Sequence, residues 1–281
     1  MRAHKYLPPM NIFCRHHVCS YGAGPRPIVF SHGFGTDQQV WHYVAPAFAA
    51  HYQVVLFDLM GAGDSNKAAY DFTRYQTLDG YVSDLLELIR ALQIPKVVYV
   101  GHSVSGIIGV LAAIREPALF ERLILLAASP CYLNDGEYAG GYDPADMEEL
   151  LGFLDRDYHA WSSNVVPNLV GGDLRPDLVD EVLQSFSRVD PAIARQFARA
   201  TFLSDYRNIL SQLQVPALIL QCAEDIIAPP SVGHYLHQHL QGSTLQILDT
   251  TGHYPHLNAP VATIAHMEHY LASLPTAFAS A

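Results

Sequence analysis

The chain has 281 residues, half of them hydrophobic and only 15% charged, with a formal net charge of −11. That length allows one large domain or two small ones, with roughly three quarters of the unfolded surface buried, and the composition excludes a disordered or low-complexity protein. No apolar run nears the roughly 20 residues of a membrane span, residues 1–19 hold no apolar secretion core, the cysteines are too sparse for a disulfide scaffold, and the acidic balance argues against nucleic acid or an anionic membrane surface as partner; the expectation is a cytoplasmic globular protein.

In chain order, short apolar runs lead into turns rich in Gly, Ser, Asp and His. Ile28-Val29-Phe30 precedes Ser31-His32-Gly33-Phe34-Gly35, and Val54 to Phe57 precedes Asp58 and Gly61-Ala62-Gly63. A helix is expected where Tyr81, Leu85, Leu88, Ile89 and Leu92 share one face. Val97 to Val100 precedes Gly101-His102-Ser103, Leu123 to Leu126 precedes Ser129-Pro130, Ala217 to Leu220 precedes Glu224-Asp225, and Leu245 to Leu248 precedes Gly252-His253. Continuous rather than alternating runs fit strands buried on both faces, so the pattern reads as an α/β fold with a mostly parallel sheet. Such sheets place function at the carboxyl ends of their strands. From about Asp135 to Ser204 the strand signal stops. Asp143-Pro144, Arg175-Pro176 and Asp190-Pro191 each open an apolar helical stripe, and a further helix is expected around Trp161. Four helices between two strands read as a cap, which divides the chain into a core over 1–133, a lid over 134–204 and the rest of the core over 205–281.

The chemistry begins at Gly101-His102-Ser103-Val104-Ser105. A strand, a sharp turn and a helix in this order present a nucleophilic serine. The fifth position is Ser105 in place of glycine, a deviation that Gly106 helps absorb. A serine hydroxyl needs a base, and the base needs an orienting acid. Asp225 and His253 follow in the order expected of an acid and then a base, each at a strand end. Glu224 stays open as the rival acid and His256 as the rival base. The oxyanion needs two amide donors, for which Val104 and Phe34 are the candidates. Gly61-Ala62-Gly63 lacks the Lys-Ser/Thr of a phosphate loop. His234, His237 and His239 read as a solvated helix face rather than a metal site, and Cys14, Cys19, Cys131 and Cys222 as free thiols. No metal and no cofactor is expected.

These segments, together with Gly33 to Gln38, Tyr75 to Tyr81, Ser129 to Asp135, Gly140-Gly141-Tyr142, Asp190 to Ala198 and Leu220 to Pro229, resemble one α/β-hydrolase subfamily. It contains the sigma-B regulator Q protein of bacterial stress signalling, to which the last two segments are especially similar, and the plant karrikin and strigolactone receptors. The resemblance runs from about Asn11 to Leu271. It implies an α/β-hydrolase fold with the four-helix cap between strands 6 and 7, a triad of Ser103, Asp225 and His253, and an oxyanion hole of Phe34 and Val104. It further implies a hydrophobic cavity lined by Tyr132, Tyr142, Trp161, Phe202 and Ile226. Family members hydrolyse slowly and double as small-molecule sensors. The bacterial protein works with a PAS-domain phosphatase and the plant receptors with F-box proteins. Tyr142, where the family often has phenylalanine, and Val165, where the plant receptors carry an aromatic, depart from the pattern. The expected function is therefore a serine hydrolase of a small apolar ester or lactone linked to sensing. The alternatives are a receptor with incidental hydrolysis, a plain carboxylesterase, or a carbon–carbon hydrolase or perhydrolase.

Overall fold

The computed structural model describes residues 11–171 and 175–272. Residues 1–10, read above as free of a secretion signal, lie outside them. Seven strands form one sheet: β1 (Cys19–Tyr21), β2 (Arg26–Ser31), β3 (Tyr52–Phe57), β4 (Val97–His102), β5 (Phe120–Leu126), β6 (Ala217–Glu224) and β7 (Thr244–Thr251), in the spatial order β1-β3-β2-β4-β5-β6-β7. Only β1 runs antiparallel to its neighbour. The apolar runs do what their continuity implies. Val29, Val55, Tyr99, Leu123 and Leu125 face one core cluster. Ile28, Phe30, Val54, Val98, Val100, Ile124 and Leu126 face the other.

Among the described residues ten α-helices accompany the sheet. In the core they are α1 (Ile12–Arg15), α2 (Asp79–Ala91), α3 (Val104–Arg115), α8 (Pro230–His239), α9 (Pro255–Asn258) and α10 (Pro260–Ala272); between β5 and β6 come α4 (Pro144–Arg156), α5 (Tyr158–Leu169), α6 (Pro176–Ser187) and α7 (Pro191–Phe202). These last four are the helices expected from the sequence. They stand between the fifth and sixth described strands rather than the sixth and seventh, because five strands precede them in the described residues. Asp190 caps α7 through the Ala192 amide as expected. Asp143 holds the N-cap position of α4 as expected but makes no side-chain capping bond; its carboxylate accepts from Asn134 Nδ2 at 2.8 Å instead.

The insert rests on the core without intervening side chains at two places. A methyl group added to Gly35 would lie 2.3 Å from the Phe186 ring of α6, and one added to Gly61 would lie 2.4 Å from Ile193 of α7. Between them Arg188 donates to Asp37 at 3.1 Å and to Asp64 at 2.5 Å. Lys67 Nζ donates to the Arg188 carbonyl at 2.6 Å. No helix among the described residues is long and apolar enough to cross a membrane.

Candidate active site

Ser103 sits between the end of β4 and the first residue of α3, with φ 55° and ψ −124°. This is the left-handed half of conformational space, strained for a residue with a side chain. The turn is held by the Ser103 amide donating to the Leu126 carbonyl at 2.8 Å and by the Gly106 amide donating to the Ser103 carbonyl at 2.9 Å. Helix and strand approach closely here. A methyl group at Gly106 would lie 2.5 Å from the Ala128 Cβ, so Gly106 is where the close pass falls. Ser105 is accommodated by polar contacts: its hydroxyl donates to the His32 carbonyl and accepts from Ser31 Oγ. The Tyr99 hydroxyl donates to the Ser105 carbonyl at 2.8 Å.

His253 reaches Ser103 from the turn after β7. Gly252 before it has φ +102°, and a side chain there would meet the Leu169 carbonyl at 2.8 Å. The His253 amide donates to that same carbonyl at 2.6 Å, which ties the turn to the end of α5. The His253 Nδ1 lies 2.8 Å from Asp225 Oδ2, and its Nε2 lies 2.8 Å from Ser103 Oγ. An ionised carboxylate only accepts, so Nδ1 carries the hydrogen and Nε2 is free to accept from the serine hydroxyl. The other Asp225 oxygen accepts from the amides of Ile227 at 2.9 Å and Ala228 at 3.1 Å. Ser103, Asp225 and His253 are 5%, 8% and 4% exposed, which strengthens each of these bonds relative to water.

The two rivals lie elsewhere. Glu224, exposed, accepts from Thr251 Oγ1 at 2.9 Å. His256 is fully buried and stacked on Trp41 with centroids 4.4 Å apart, and neither ring nitrogen has a hydrogen-bond partner. Burial, reinforced by the nearby His253 and His42, pushes its pKa down to about 3.

Val104 opens α3, so its amide has no acceptor within the helix and stands at the positive end of the helix dipole. Phe34 lies in the turn after β2. Its ring meets Trp161, Phe186, Phe197 and Phe202 at centroid distances of 5.6–6.0 Å. Trp161 and Phe202 join Phe34, Ser103, His253, Leu150 and Val165 on the wall of a narrow cavity. Tyr132 stands behind Phe202, 5.1 Å away. Its buried hydroxyl lies near Ser103 without meeting hydrogen-bond geometry, and burial raises its pKa. Of the five expected wall residues, Tyr132, Tyr142 and Ile226 are not on that wall. Tyr142 is only half-buried, with a pKa raised by burial to about 12. Ile226 is 52% exposed, and Ile227 takes its place. The Asp225 carboxylate holds the amides of the next turn, which sends Ile226 outward and Ile227 inward.

Other sequence features resolve into structure. The loop around Gly61 encloses the buried Asp58 carboxylate, which accepts from the amides of Gln38 and Asp64; a carboxylate there repels phosphate. Among the described residues one group, His17, Asp58 and Asp64, has metal-ligand spacing, yet Asp58 is occupied by those amides and by His17, and Asp64 by Arg188. His234 and His237 are exposed, and His239 stacks on Tyr235. Cys14, Cys19, Cys131 and Cys222 are free thiols.

Comparison with known proteins agrees with the fold. The model of the alpha/beta hydrolase fold family matches residues 26–260. A strigolactone esterase of Pisum sativum is 45% identical over 247 residues, covering 87% of this chain and 92% of its own. A karrikin insensitive 2 receptor of Petunia hybrida is 40% identical over 262 residues, covering 92% of this chain and 97% of its own. A solved hydrolase from Oleispira antarctica superposes with a TM-score of 0.91 at 32% identity, over 94% of this chain and 97% of that one. These matches carry the plant side of the resemblance and do not bear on the bacterial regulator. With a strained serine between strand and helix, an acid and a histidine in the family's chain order, and relatives matched over nearly its whole length, the chain belongs to the α/β-hydrolase family, in the group of the strigolactone esterases and karrikin receptors.

Proposed function

We propose that this protein is a cytoplasmic serine hydrolase that cleaves a small apolar ester or lactone through an acyl-enzyme, with residues 134–204 as the lid over its cavity. The observation that carries the reading is the relay in which His253 touches Ser103 and Asp225 at 2.8 Å each. Ser103 Oγ attacks the substrate carbonyl while its proton passes to His253 Nε2. Asp225 fixes the imidazole and stabilises the imidazolium. The amides of Phe34 and Val104 stabilise the oxyanion. Collapse of the tetrahedral intermediate returns the proton from His253 to the leaving oxygen. Water, deprotonated by His253, then attacks the acyl-enzyme and releases Ser103. The wall of Phe34, Trp161, Val165, Leu169, Phe186 and Phe202 selects an apolar ligand and excludes water. Ser103→Ala is expected to abolish p-nitrophenyl acetate turnover and labelling by a fluorophosphonate; equal labelling of the variant would sink the assignment.

A sensing role is favoured by one contact: the His253 amide is bonded to the Leu169 carbonyl at the end of α5, so the histidine and the lid share a hydrogen bond. A ligand that alters one biases the other, and the changed lid surface would recruit a partner, a PAS-domain phosphatase by resemblance. A non-hydrolysable butenolide should then shift the melting temperature and alter partner pulldown in both wild type and Ser103→Ala. Brisk turnover with no shift and no change in pulldown would leave a plain esterase.

A further inference from the structure

His102 is a buried imidazole that the acyl-transfer steps leave unused. It ends β4 beside Ser103 and is 1% exposed. Its Nε2 lies 2.8 Å from the backbone carbonyl of His253. A carbonyl only accepts, so Nε2 carries the hydrogen and, in the neutral ring, Nδ1 is bare. That Nδ1 is buried without a hydrogen-bond partner. It faces the turn after β2, where a methyl group on Gly33 would lie 2.6 Å from it. The ring packs against His253, Tyr254 and His256, with centroids 5.0, 4.9 and 4.6 Å away. Burial, and after it the neighbouring His256, His253 and His32, hold its pKa well below the ordinary imidazole value. The ring is therefore neutral and locked in one tautomer. It touches the turns that carry the nucleophile, an oxyanion amide and the base.

We propose that His102 is a positioning residue for His253, its Nε2–H fixing the His253 peptide from the core side while its bare Nδ1 edge lets the Gly33 backbone close against it. The His253 backbone is thereby held on both sides: the Leu169 carbonyl accepts from its N–H and the His102 Nε2–H donates to its carbonyl. Loss of the second bond leaves a buried carbonyl unpaired and the base free to turn away from Ser103. A displacement of about 1 Å can lower a rate by about 100-fold. Histidine suits the place because one edge donates and the other needs nothing. Leucine fills the space without a donor. Glutamine supplies the donor but brings a carboxamide oxygen with no partner. The inference rests on the hydrolase reading.

The test compares wild type, His102→Leu and His102→Gln on p-nitrophenyl acetate, with circular dichroism as the control for folding. The leucine variant is expected to lose roughly 10- to 100-fold in kcat with KM little changed, and glutamine to recover at least half of that loss on a logarithmic scale. Nitrogen NMR of histidine-labelled wild type should show His102 with hydrogen on Nε2 and a bare Nδ1, unchanged from about pH 8 to about pH 5. Wild-type kcat in the leucine variant, a glutamine variant as slow as leucine, or a His102 that titrates near the free-imidazole value would overturn the proposal. If neither variant folds, the NMR decides. Absence of turnover in the wild type would instead count against the hydrolase reading and leave the NMR result standing.

Discussion

Two adjacent acids straddle the end of β6, and the backbone separates their roles. Glu224 is the last strand residue and points to Thr251 and solvent; Asp225 begins the turn, with one oxygen on two amides and the other on His253. Asp225→Asn is expected to lower kcat by roughly 10³- to 10⁴-fold, because an amide cannot hold the imidazole tautomer or stabilise its cation. Glu224→Gln should leave kcat within about 2-fold, since its partner is a hydroxyl at the surface. Equal losses in the two variants would refute the assignment. At this scale the sequence is legible where residue identity and strand ends suffice. Ser103, Asp225 and His253 all follow apolar runs, so their convergence is readable. Ile226 and Ile227 are not distinguishable, because one residue of turn geometry decides which faces the cavity. His102 is written plainly in Gly101-His102-Ser103, yet its role depends on a carbonyl 151 positions away.

Among the elements, strands β2 to β6 and the four insert helices were readable because their apolar residues keep the periods of a doubly buried strand and a one-sided helix. The edge strand β1 was not. It has three residues, none of them fully buried, and so no apolar run to mark it. Nor was the attachment of the insert, which depends on ion pairs between distant segments. Arg188 joins α6 to Asp37, whose side chain is only 4% exposed and which also caps the short helix after the Phe34 turn. Asp64, the other partner, is 61% exposed and contributes little. Arg188→Met leaves the Asp37 carboxylate without its cation and is expected to cost about 1–3 kcal/mol. Thermal unfolding at low salt measures this, with Arg188→Lys intermediate because lysine cannot hold both carboxylates as a fork. An unchanged melting temperature would mean the insert is held by its apolar contacts alone.

For the molecule as a whole, the distribution of buried histidines sets the response to acid. His16, His32, His102 and His256 all have lowered pKa values, with burial the largest cause in each. The folded state therefore binds fewer protons than the unfolded state below the ordinary histidine value of 6.5. The contribution to stability is complete above that value and is lost as the pH falls through it toward the folded values, about 3 for His256. Each neutral histidine removes up to about 1.4 kcal/mol per pH unit across that window. The melting temperature should fall steadily from about pH 7 to about pH 4, and His256→Phe, stacked in the same place on Trp41, should flatten the slope. A melting temperature that is flat or rises over this range would refute it. Fifteen histidines are visible in the sequence, but which of them are dry is a property of the packed molecule.

Phe34 links these scales. Its side chain is surrounded by four aromatic rings of the insert, while its backbone amide is a proposed oxyanion donor. In that proposed role the residue is a lever whose handle lies in the insert and whose working end lies at the reacting carbonyl. Repacking of Trp161, Phe186, Phe197 or Phe202, by mutation or by an arriving ligand, turns the handle. Under the proposed mechanism the insert would thus act on the rate through the Phe34 backbone as well as through the cavity wall it lines.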